Sequence, residues 1–103
     1  MQTTLEIPNA LDIKSLCEKY HIVRLSLFGS ALRRELGPES DIDLLIEFEK
    51  SHIPGFLKLA RIEREFSVLF HNQRIDLRTP EDLSQYFRQD VLDKAEPIYN
   101  ESR

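Results

Sequence analysis

Hydrophobic residues recur at helical spacing in two segments of the chain. The first stripe follows Asn9, a residue type that often caps helices, with Asp12 three residues later. This pattern predicts a helix over residues 10–20. The second stripe has a period of 3.6 residues, starts at Phe56 and predicts a helix that ends near His71. The stripe residues are expected in the core: Ile13, Leu16, Cys17, Tyr20, Phe56, Leu59, Ile62, Phe66 and Leu69.

Three other segments have the character of β-strands. Residues 22–28 are rich in apolar and β-branched side chains and end before Gly29. From Asp41 to Phe48 apolar and polar positions largely alternate, which is typical of a strand with one face in the core. Residues 74–77 predict a short third strand.

Two more helices are expected between and after these strands. Ser30 can open a helix that runs to about Leu36. Thr79 and Pro80 combine a capping residue with a proline suited to the first helical position, so a last helix is expected to reach about Ala95. The order is αβαβαβα, which predicts an α/β (α+β) fold with a small three-stranded mixed sheet packed on helices.

Composition restricts the class of protein. The chain has 103 residues, 41% hydrophobic and 31% charged, which predicts a single domain over 1–103 that buries about 60–65% of its unfolded surface. Its formal net charge of -4 argues against direct nucleic-acid binding, because domains that grip a polynucleotide are usually basic. No apolar run is long enough to span a membrane, and the lone Cys17 suggests a reducing compartment, so a cytoplasmic protein is expected.

Small and acidic residues mark the facing ends of the first two strands. Gly29 and Ser30 follow the first strand, and Asp41 and Asp43 lie at the start of the second. If the two strands are antiparallel, these residues meet at one edge of the sheet, where Asp76 of the third strand could join them. Residues two apart on a strand share a face, with α-carbons about 6.6 Å apart.

Such a group of residues suits a divalent cation and a phosphate. Two carboxylates about 4 Å apart repel by about 4 kcal/mol at an effective dielectric constant near 20, and a cation removes that cost. Mg²⁺ prefers oxygen ligands and often binds one or two carboxylates together with substrate phosphates. Gly29 would let the backbone approach a phosphate, and the Ser30 hydroxyl could donate to it. Judged by residue types alone, a solvated acidic strand end remains the alternative.

The spacing of these residues resembles a family signature. Gly29-Ser30, ten residues and then Asp41-Ile42-Asp43 is similar to the motif of the polymerase-beta nucleotidyltransferase superfamily, and Ser40 matches its usual surroundings. The remainder resembles the minimal nucleotidyltransferase (MNT) branch, with 74–77 as the strand of the third carboxylate. Many members carry a further glycine a few residues after Gly-Ser, where this chain instead has Ala31-Leu32-Arg33-Arg34-Glu35.

The resemblance implies a fold, a reaction and a partner. Members of this size are typically antitoxins that silence a HEPN-domain ribonuclease toxin by transferring AMP from ATP to a tyrosine. It implies catalytic aspartates that bind Mg²⁺, with two ions expected, at Asp41, Asp43 and Asp76. The nucleotide-binding residues would be Gly29, Ser30, Arg33 and Ser40. The missing glycine leaves the nucleotide contacts of Arg33 and Arg34 open.

Two other functions stay open. A non-catalytic antitoxin would inhibit its toxin by binding alone and would tolerate loss of the aspartates. A small-molecule nucleotidyltransferase, of the kind that modifies aminoglycosides, usually has an additional substrate-binding domain. A nucleic-acid polymerase is disfavoured, because the acidic chain has no basic aromatic surface for a primer.

Histidines give no clear signal in the sequence. Arg64 and His71 have the spacing of a HEPN ribonuclease motif, but a HEPN domain is all-helical and this chain has strand patterns. His21, His52 and His71 fall on different elements without paired-ligand spacing, so no zinc site is expected. Tyr86 and Tyr99 are expected to be packing residues.

Overall fold

A computed structural model describes residues 3–33, 35–36 and 41–101, with the backbone alone described for residues 3, 4, 30, 33, 35 and 36. The three helices are α1 (Ala10–Lys19), α2 (Phe56–Leu69) and α3 (Arg88–Lys94). The strands are β1 (Thr3–Thr4), β2 (Ile22–Leu27), β3 (Glu35–Leu36), β4 (Ile42–Phe48), β5 (Ile75–Arg78) and β6 (Glu96–Asn100). Short 3₁₀ turns lie at Gly29–Arg33, Lys50–His52 and Pro80–Asp82. Within the described ranges, no helix is long and apolar enough to cross a membrane.

The main sheet is mixed and has the strand order β5-β4-β2-β6. Strand β2 is antiparallel to both β4 and β6, and β4 is parallel to β5. The mixed α/β fold class is confirmed, but the prediction of three strands is wrong because β6 adds a fourth. Pro97 lies inside β6. Proline is tolerated on edge strands but weakens the sequence signal for a strand, which explains why β6 was missed.

The first helix forms as its sequence predicts. Asn9 caps α1 by accepting a hydrogen bond of 2.9 Å from the Asp12 backbone amide. The apolar stripe is buried against the sheet, and Cys17 has no exposed surface. Burial, with a smaller contribution from Glu18, raises the pKa of the Cys17 thiol to about 12. A thiol that remains protonated and buried is a core residue, as expected.

Helix α2 packs through the middle of its stripe. Ile62 and Phe66 are fully buried. Phe56 is 85% exposed, so its predicted place in the core is wrong. It is the first residue of the helix, directly after Gly55, and therefore lies at the end of the stripe rather than over the sheet. Tyr86 was also expected to pack and is 83% exposed.

One face of the main sheet forms the core with α1 and α2. In the register of the sheet Leu27 lies opposite Leu44, and Leu44 lies beside Leu77. Strand side chains alternate between faces, so Asp43 and Asp76 project from the other face. The buried residues of this core include Leu25, Leu27, Ile42, Leu44, Ile46, Ile75 and Leu77.

The helix predicted from Ser30 to Leu36 does not form. The chain makes a 3₁₀ turn over Gly29–Arg33 and then enters β3. Strand β3 pairs with β1 in an antiparallel two-stranded sheet, with Thr4 opposite Glu35. Pairing with a distant segment thus overrides the local helix propensity of this stretch.

The helix predicted from Thr79 to Ala95 is interrupted. The capping box of Thr79 and Asp82 is present, but it opens a single 3₁₀ turn. Leu83 then has an extended backbone (φ -84°, ψ 143°), and α3 starts only at Arg88. The Arg88 side chain donates to the carbonyl oxygens of Pro80 (2.7 Å) and Leu83 (3.1 Å). It satisfies the acceptors that a continuous helix would have used.

A polar network joins α1 to α2. Lys19 Nζ lies 2.8 Å from Glu65 Oε1, and the Tyr20 hydroxyl donates to the other oxygen of the same carboxylate. Hydrogen bonds from Lys19 and then Tyr20 lower the pKa of Glu65. Burial, followed by the hydrogen bond to Glu65, raises the pKa of Tyr20. The network fixes the end of α1 against α2.

Candidate active site

The antiparallel pairing of β2 and β4 brings Gly29 to Asp43. Leu27 lies opposite Leu44 in the register, and beyond it the Phe28 amide donates to the Asp43 carbonyl oxygen at 3.1 Å. The turn that follows β2 is therefore held against the first residues of β4. The predicted meeting of these two strand ends is confirmed.

Gly29 is required here for two physical reasons. Its φ of 59° lies in the left-handed region, which L side chains rarely adopt. A Cβ atom at this position would lie 2.5 Å from Asp43 Oδ2, which is closer than Cβ atoms approach other atoms in real proteins. Only glycine therefore lets the turn and the carboxylate approach this closely, and Asp43 lies directly beside the backbone of the turn.

Asp76 is the neighbour of Asp43 in the sheet. The two residues are in register across the parallel pair β4 and β5. Neighbouring strands are about 4.8 Å apart, and residues in register project from the same face. Asp76 therefore lies beside Asp43 and projects from the same face of the sheet, opposite the core.

Arginines balance the two outer carboxylates. Asp41 Oδ1 lies 3.0 Å from Arg74 Nε, and Asp76 Oδ1 lies 3.3 Å from Arg78 Nε. The side chains of Asp41 and Asp76 are 46% and 35% exposed. Among the residues that the structure describes, Asp41, Asp43 and Asp76 do not bring one oxygen each within 4.8 Å of one another. The structure therefore places Asp43 and Asp76 side by side and turns Asp41 towards Arg74.

A hollow of about 270 Å³ lies beside Asp41. It is lined by Asp41, Arg74, Ile75 and three residues of α2, Glu63, Arg64 and Ser67. Arg64 is the residue whose spacing to His71 resembles a HEPN ribonuclease motif. The four-stranded sheet is incompatible with the all-helical HEPN fold, as expected. The hollow brings a second guanidinium group, that of Arg64, to the side of Asp41 that already has Arg74.

Part of the predicted nucleotide site lies outside the described residues. This applies to Ser40 and Arg34 and to the side chains of Ser30 and Arg33. The structure does describe the backbone of Ser30, which lies within the 3₁₀ turn next to Gly29.

The donor set suits a hard divalent cation. Asp41, Asp43 and Asp76 offer only carboxylate oxygens, which is the ligand type that Mg²⁺ prefers. The close contact of Gly29 with Asp43 leaves backbone, rather than a side chain, facing the carboxylate. Phosphate oxygens could approach that backbone closely.

Comparison with known proteins agrees with this arrangement. The family described as "Polymerase beta, Nucleotidyltransferase" matches residues 12–103. The chain belongs to this nucleotidyltransferase family. The match includes both strand ends that form the site and the strand that carries Asp76. The family expected from Gly29-Ser30 and the paired aspartates is confirmed.

Matches to individual proteins extend over most of this chain. The protein adenylyltransferase MntA of Thermococcus cleftensis is 33% identical over 89% of this chain and 92% of its own length. A solved structure described as "Structure of putative minimal nucleotidyltransferase" is 33% identical to this chain. Its TM-score is 0.70, and the match covers 85% of this chain and 87% of the other. A crystal structure of a toxin-antitoxin with AMP-PNP has a TM-score of 0.69 over 89% of this chain and 73% of its own. At 17% identity it shows a shared fold.

At the opposite end of the same strand pair the nucleotidyltransferase gathers two histidines. The rings of His21 and His52 stack with centroids 3.6 Å apart. Glu49 lies beside both. The prediction that the histidines are scattered is wrong for these two. The register of the strands would have indicated this, because antiparallel pairing of Ile22 with Phe48 places their neighbours, His21 and Glu49, side by side.

Proposed function

We propose that the chain is a Mg²⁺-dependent protein adenylyltransferase that acts as an antitoxin. It would transfer AMP from ATP to a tyrosine hydroxyl of a cognate HEPN-domain ribonuclease toxin. The observation that carries the proposal is the contact between Gly29 and the Asp43 carboxylate, with Asp76 in register beside it. A protein adenylyltransferase among its relatives supports the choice of AMP and of a protein acceptor.

Three carboxylates would hold the metal. Asp41 and Asp43 would bind Mg²⁺, and Asp76 would complete a second site. When bound, Mg²⁺ neutralises triphosphate charge and lowers the pKa of the acceptor hydroxyl. Asp41 must exchange its contact with Arg74 for this role or share it. The exposure of both side chains, 70% for Arg74 and 46% for Asp41, permits that movement.

The turn after β2 would bind the triphosphate. The backbone of Gly29 and the hydroxyl of Ser30 would cradle its oxygens, with Ser40 and Arg33 as further nucleotide contacts. In the reaction the acceptor oxygen attacks the α-phosphorus, the bond to the β-phosphate oxygen breaks and pyrophosphate leaves. The acceptor loses its proton as the new phosphorus–oxygen bond forms. Catalysis of this kind depends on positioning and charge neutralisation.

The cellular setting follows from the same proposal. ATP and a ribonuclease toxin are intracellular, and the protonated, buried Cys17 requires no oxidising compartment. A cytoplasmic location and a hetero-oligomer with the toxin are therefore part of the proposed function.

Mass spectrometry of the partner provides the test. The chain is co-expressed or incubated with a candidate HEPN partner, ATP and Mg²⁺, and Asp41→Ala/Asp43→Ala serves as the control. One or more AMP-sized increments on a partner tyrosine, absent with the double variant, would support the proposal. A stable complex and intact inhibition without any increment would replace it with a binding-only antitoxin. Transfer to a small hydroxylated molecule but not to the partner would favour the small-molecule enzyme.

A further inference from the structure

The second cluster of chemically active side chains lies at the end of the sheet opposite the aspartates. Among the residues that the structure describes, His21, Glu49 and His52 are the one group of three potential metal ligands within 4.8 Å of one another. Glu49 directly follows β4 and is six residues beyond Asp43, so the cluster is about 20 Å from the aspartates. It is therefore independent of the proposed transfer site.

The backbone fixes the three residues relative to one another. The Glu49 amide donates to the His21 carbonyl oxygen at 2.9 Å, and the His52 amide donates to the Glu49 carbonyl oxygen at 2.9 Å. His21 has a φ of 59°, a left-handed conformation in which histidine is enriched among residues with side chains. The cluster thus joins the turn before β2 to the 3₁₀ turn after β4.

The side-chain distances are close to those of a metal site. His21 Nδ1 lies 3.1 Å and His52 Nδ1 lies 3.8 Å from the same oxygen, Glu49 Oε2. Ligands about 2.0–2.1 Å from a tetrahedral Zn²⁺ are about 3.3 Å apart. The stacked rings must rotate for both to coordinate one ion, and side-chain exposures of 41%, 43% and 43% leave room for that. The Ser51 hydroxyl, 3.0 Å from His52 Nδ1, would have to release that nitrogen when the ion binds.

The ligand types select a different ion from the one that suits the aspartates. Imidazole nitrogens favour zinc, nickel and copper, whereas Mg²⁺ prefers oxygen ligands. Three protein ligands leave at least one coordination position for water or another group. We propose that His21, Glu49 and His52 form a binding site for a divalent transition-metal ion of the Zn²⁺ class. Such an ion would clamp the two turns together and stabilise the folded chain.

Calorimetric titration with Zn²⁺ tests the site. The full chain, without a histidine tag, is titrated in excess Mg²⁺, which occupies carboxylate sites. His21→Asn removes one ligand, and His71→Asn is a matched control because His71 is exposed and has nearly the same φ, 60°. Asparagine tolerates that conformation, so both variants should fold. His52→Asn removes the second imidazole without touching a left-handed residue.

The site predicts one equivalent of Zn²⁺ on the wild type and on His71→Asn, with a higher Tm when the ion is present. His21→Asn and His52→Asn should each weaken binding by at least about tenfold, because each loses one of three ligands. Equal affinity in His21→Asn and His71→Asn would overturn the proposal, as would a wild-type chain that binds no Zn²⁺. Loss of binding in Asp43→Asn but not in His52→Asn would also overturn it, by placing the ion at the aspartates.

Discussion

The two ends of the β2–β4 strand pair carry different chemistry on the same scaffold. At one end Gly29 contacts the Asp43 carboxylate and Asp76 lies in register beside it. At the other end the rings of His21 and His52 stack next to Glu49. One end offers only oxygen ligands next to exposed backbone, and the other offers two imidazoles and one carboxylate.

The difference shows how strand pairing determines which residues come together at each end. Antiparallel strands bring the end of one strand to the start of its partner, so each end of the pair collects residues that are distant in sequence. Hard oxygen ligands and a glycine turn suit Mg²⁺ and phosphate, whereas imidazole suits softer ions. Variants that affect one end and leave the other unchanged therefore test the separation.

Substitution of Asp43 by asparagine should have the largest effect. The change keeps the size of the side chain but removes the charge beside Gly29. AMP transfer should fall by at least about 100-fold, a loss of several kcal/mol of transition-state stabilisation, with little change in Tm. The measurement is the rate of AMP incorporation into the partner, followed by mass spectrometry.

Glu47→Gln is the matched control for that variant. Glu47 is on the same strand and face as Asp43 but pairs with Arg24 at 3.8 Å, far from the turn at Gly29. It should retain nearly full activity. A folded Asp43→Asn protein as active as Glu47→Gln would contradict the assignment of Asp43.

Replacing Gly29 by alanine should affect both stability and activity. The left-handed backbone costs about 1–2 kcal/mol for a residue with a Cβ. The new methyl group must also displace the Asp43 carboxylate, and a shift of that size can lower the transfer rate by about 100-fold. Chemical denaturation and the AMP-transfer assay would measure the two effects.

Gly55→Ala provides the comparison for this variant. A Cβ at Gly55 would meet nothing within 4 Å. As Gly55 only caps α2, its replacement should cost under about 1 kcal/mol and leave transfer unchanged. Similar losses in the two alanine variants would show that the contact between Gly29 and Asp43 has no special role.

The smallest expected effect lies near the histidine end. Glu65→Gln weakens the network with Lys19 and with Tyr20, the residue before His21, and should lower Tm by about 3 °C at neutral pH without changing AMP transfer. Hydrogen bonds lower the pKa of Glu65 in the folded state. Its stabilising contribution is therefore complete above the ordinary value of 4.5 and is lost as the pH falls through the lower folded value.

Thermal unfolding of the wild type and Glu65→Gln as a function of pH checks this sign. The difference in Tm should shrink as the solution is acidified below about pH 4.5. A difference that grows under acid conditions would contradict the role given to the Glu65 carboxylate.

The sequence predicted the features that depend on local pattern. The stripe and cap of α1 and the strand alternation before Phe48 follow from residue types and spacing. The meeting of the two strand ends was predicted only for antiparallel strands, and the structure shows that β2 and β4 are antiparallel. The family motif directed attention to Gly29 and Asp43, whose contact the structure supplies.

Features set by distant contacts were not predictable in the same way. The segment 30–36 has helix-forming residues, but Glu35 and Leu36 at its end form strand β3 and pair with β1. The last predicted helix is interrupted at Leu83, where the backbone is extended and the Arg88 side chain donates to two carbonyl groups. His21 and His52 are 31 positions apart, and their stacking depends on strand register rather than on spacing.

Paramagnetic NMR tests most directly whether the aspartate end binds the nucleotide and its metal. Mn²⁺ replaces Mg²⁺ together with a non-hydrolysable ATP analogue, and broadening of backbone amide signals locates the ion. We expect the strongest broadening at Gly29, Asp43 and Asp76, with the signals of His21 and Glu49 retained. Strongest broadening at His21 and Glu49, or none at Asp43, would contradict the account.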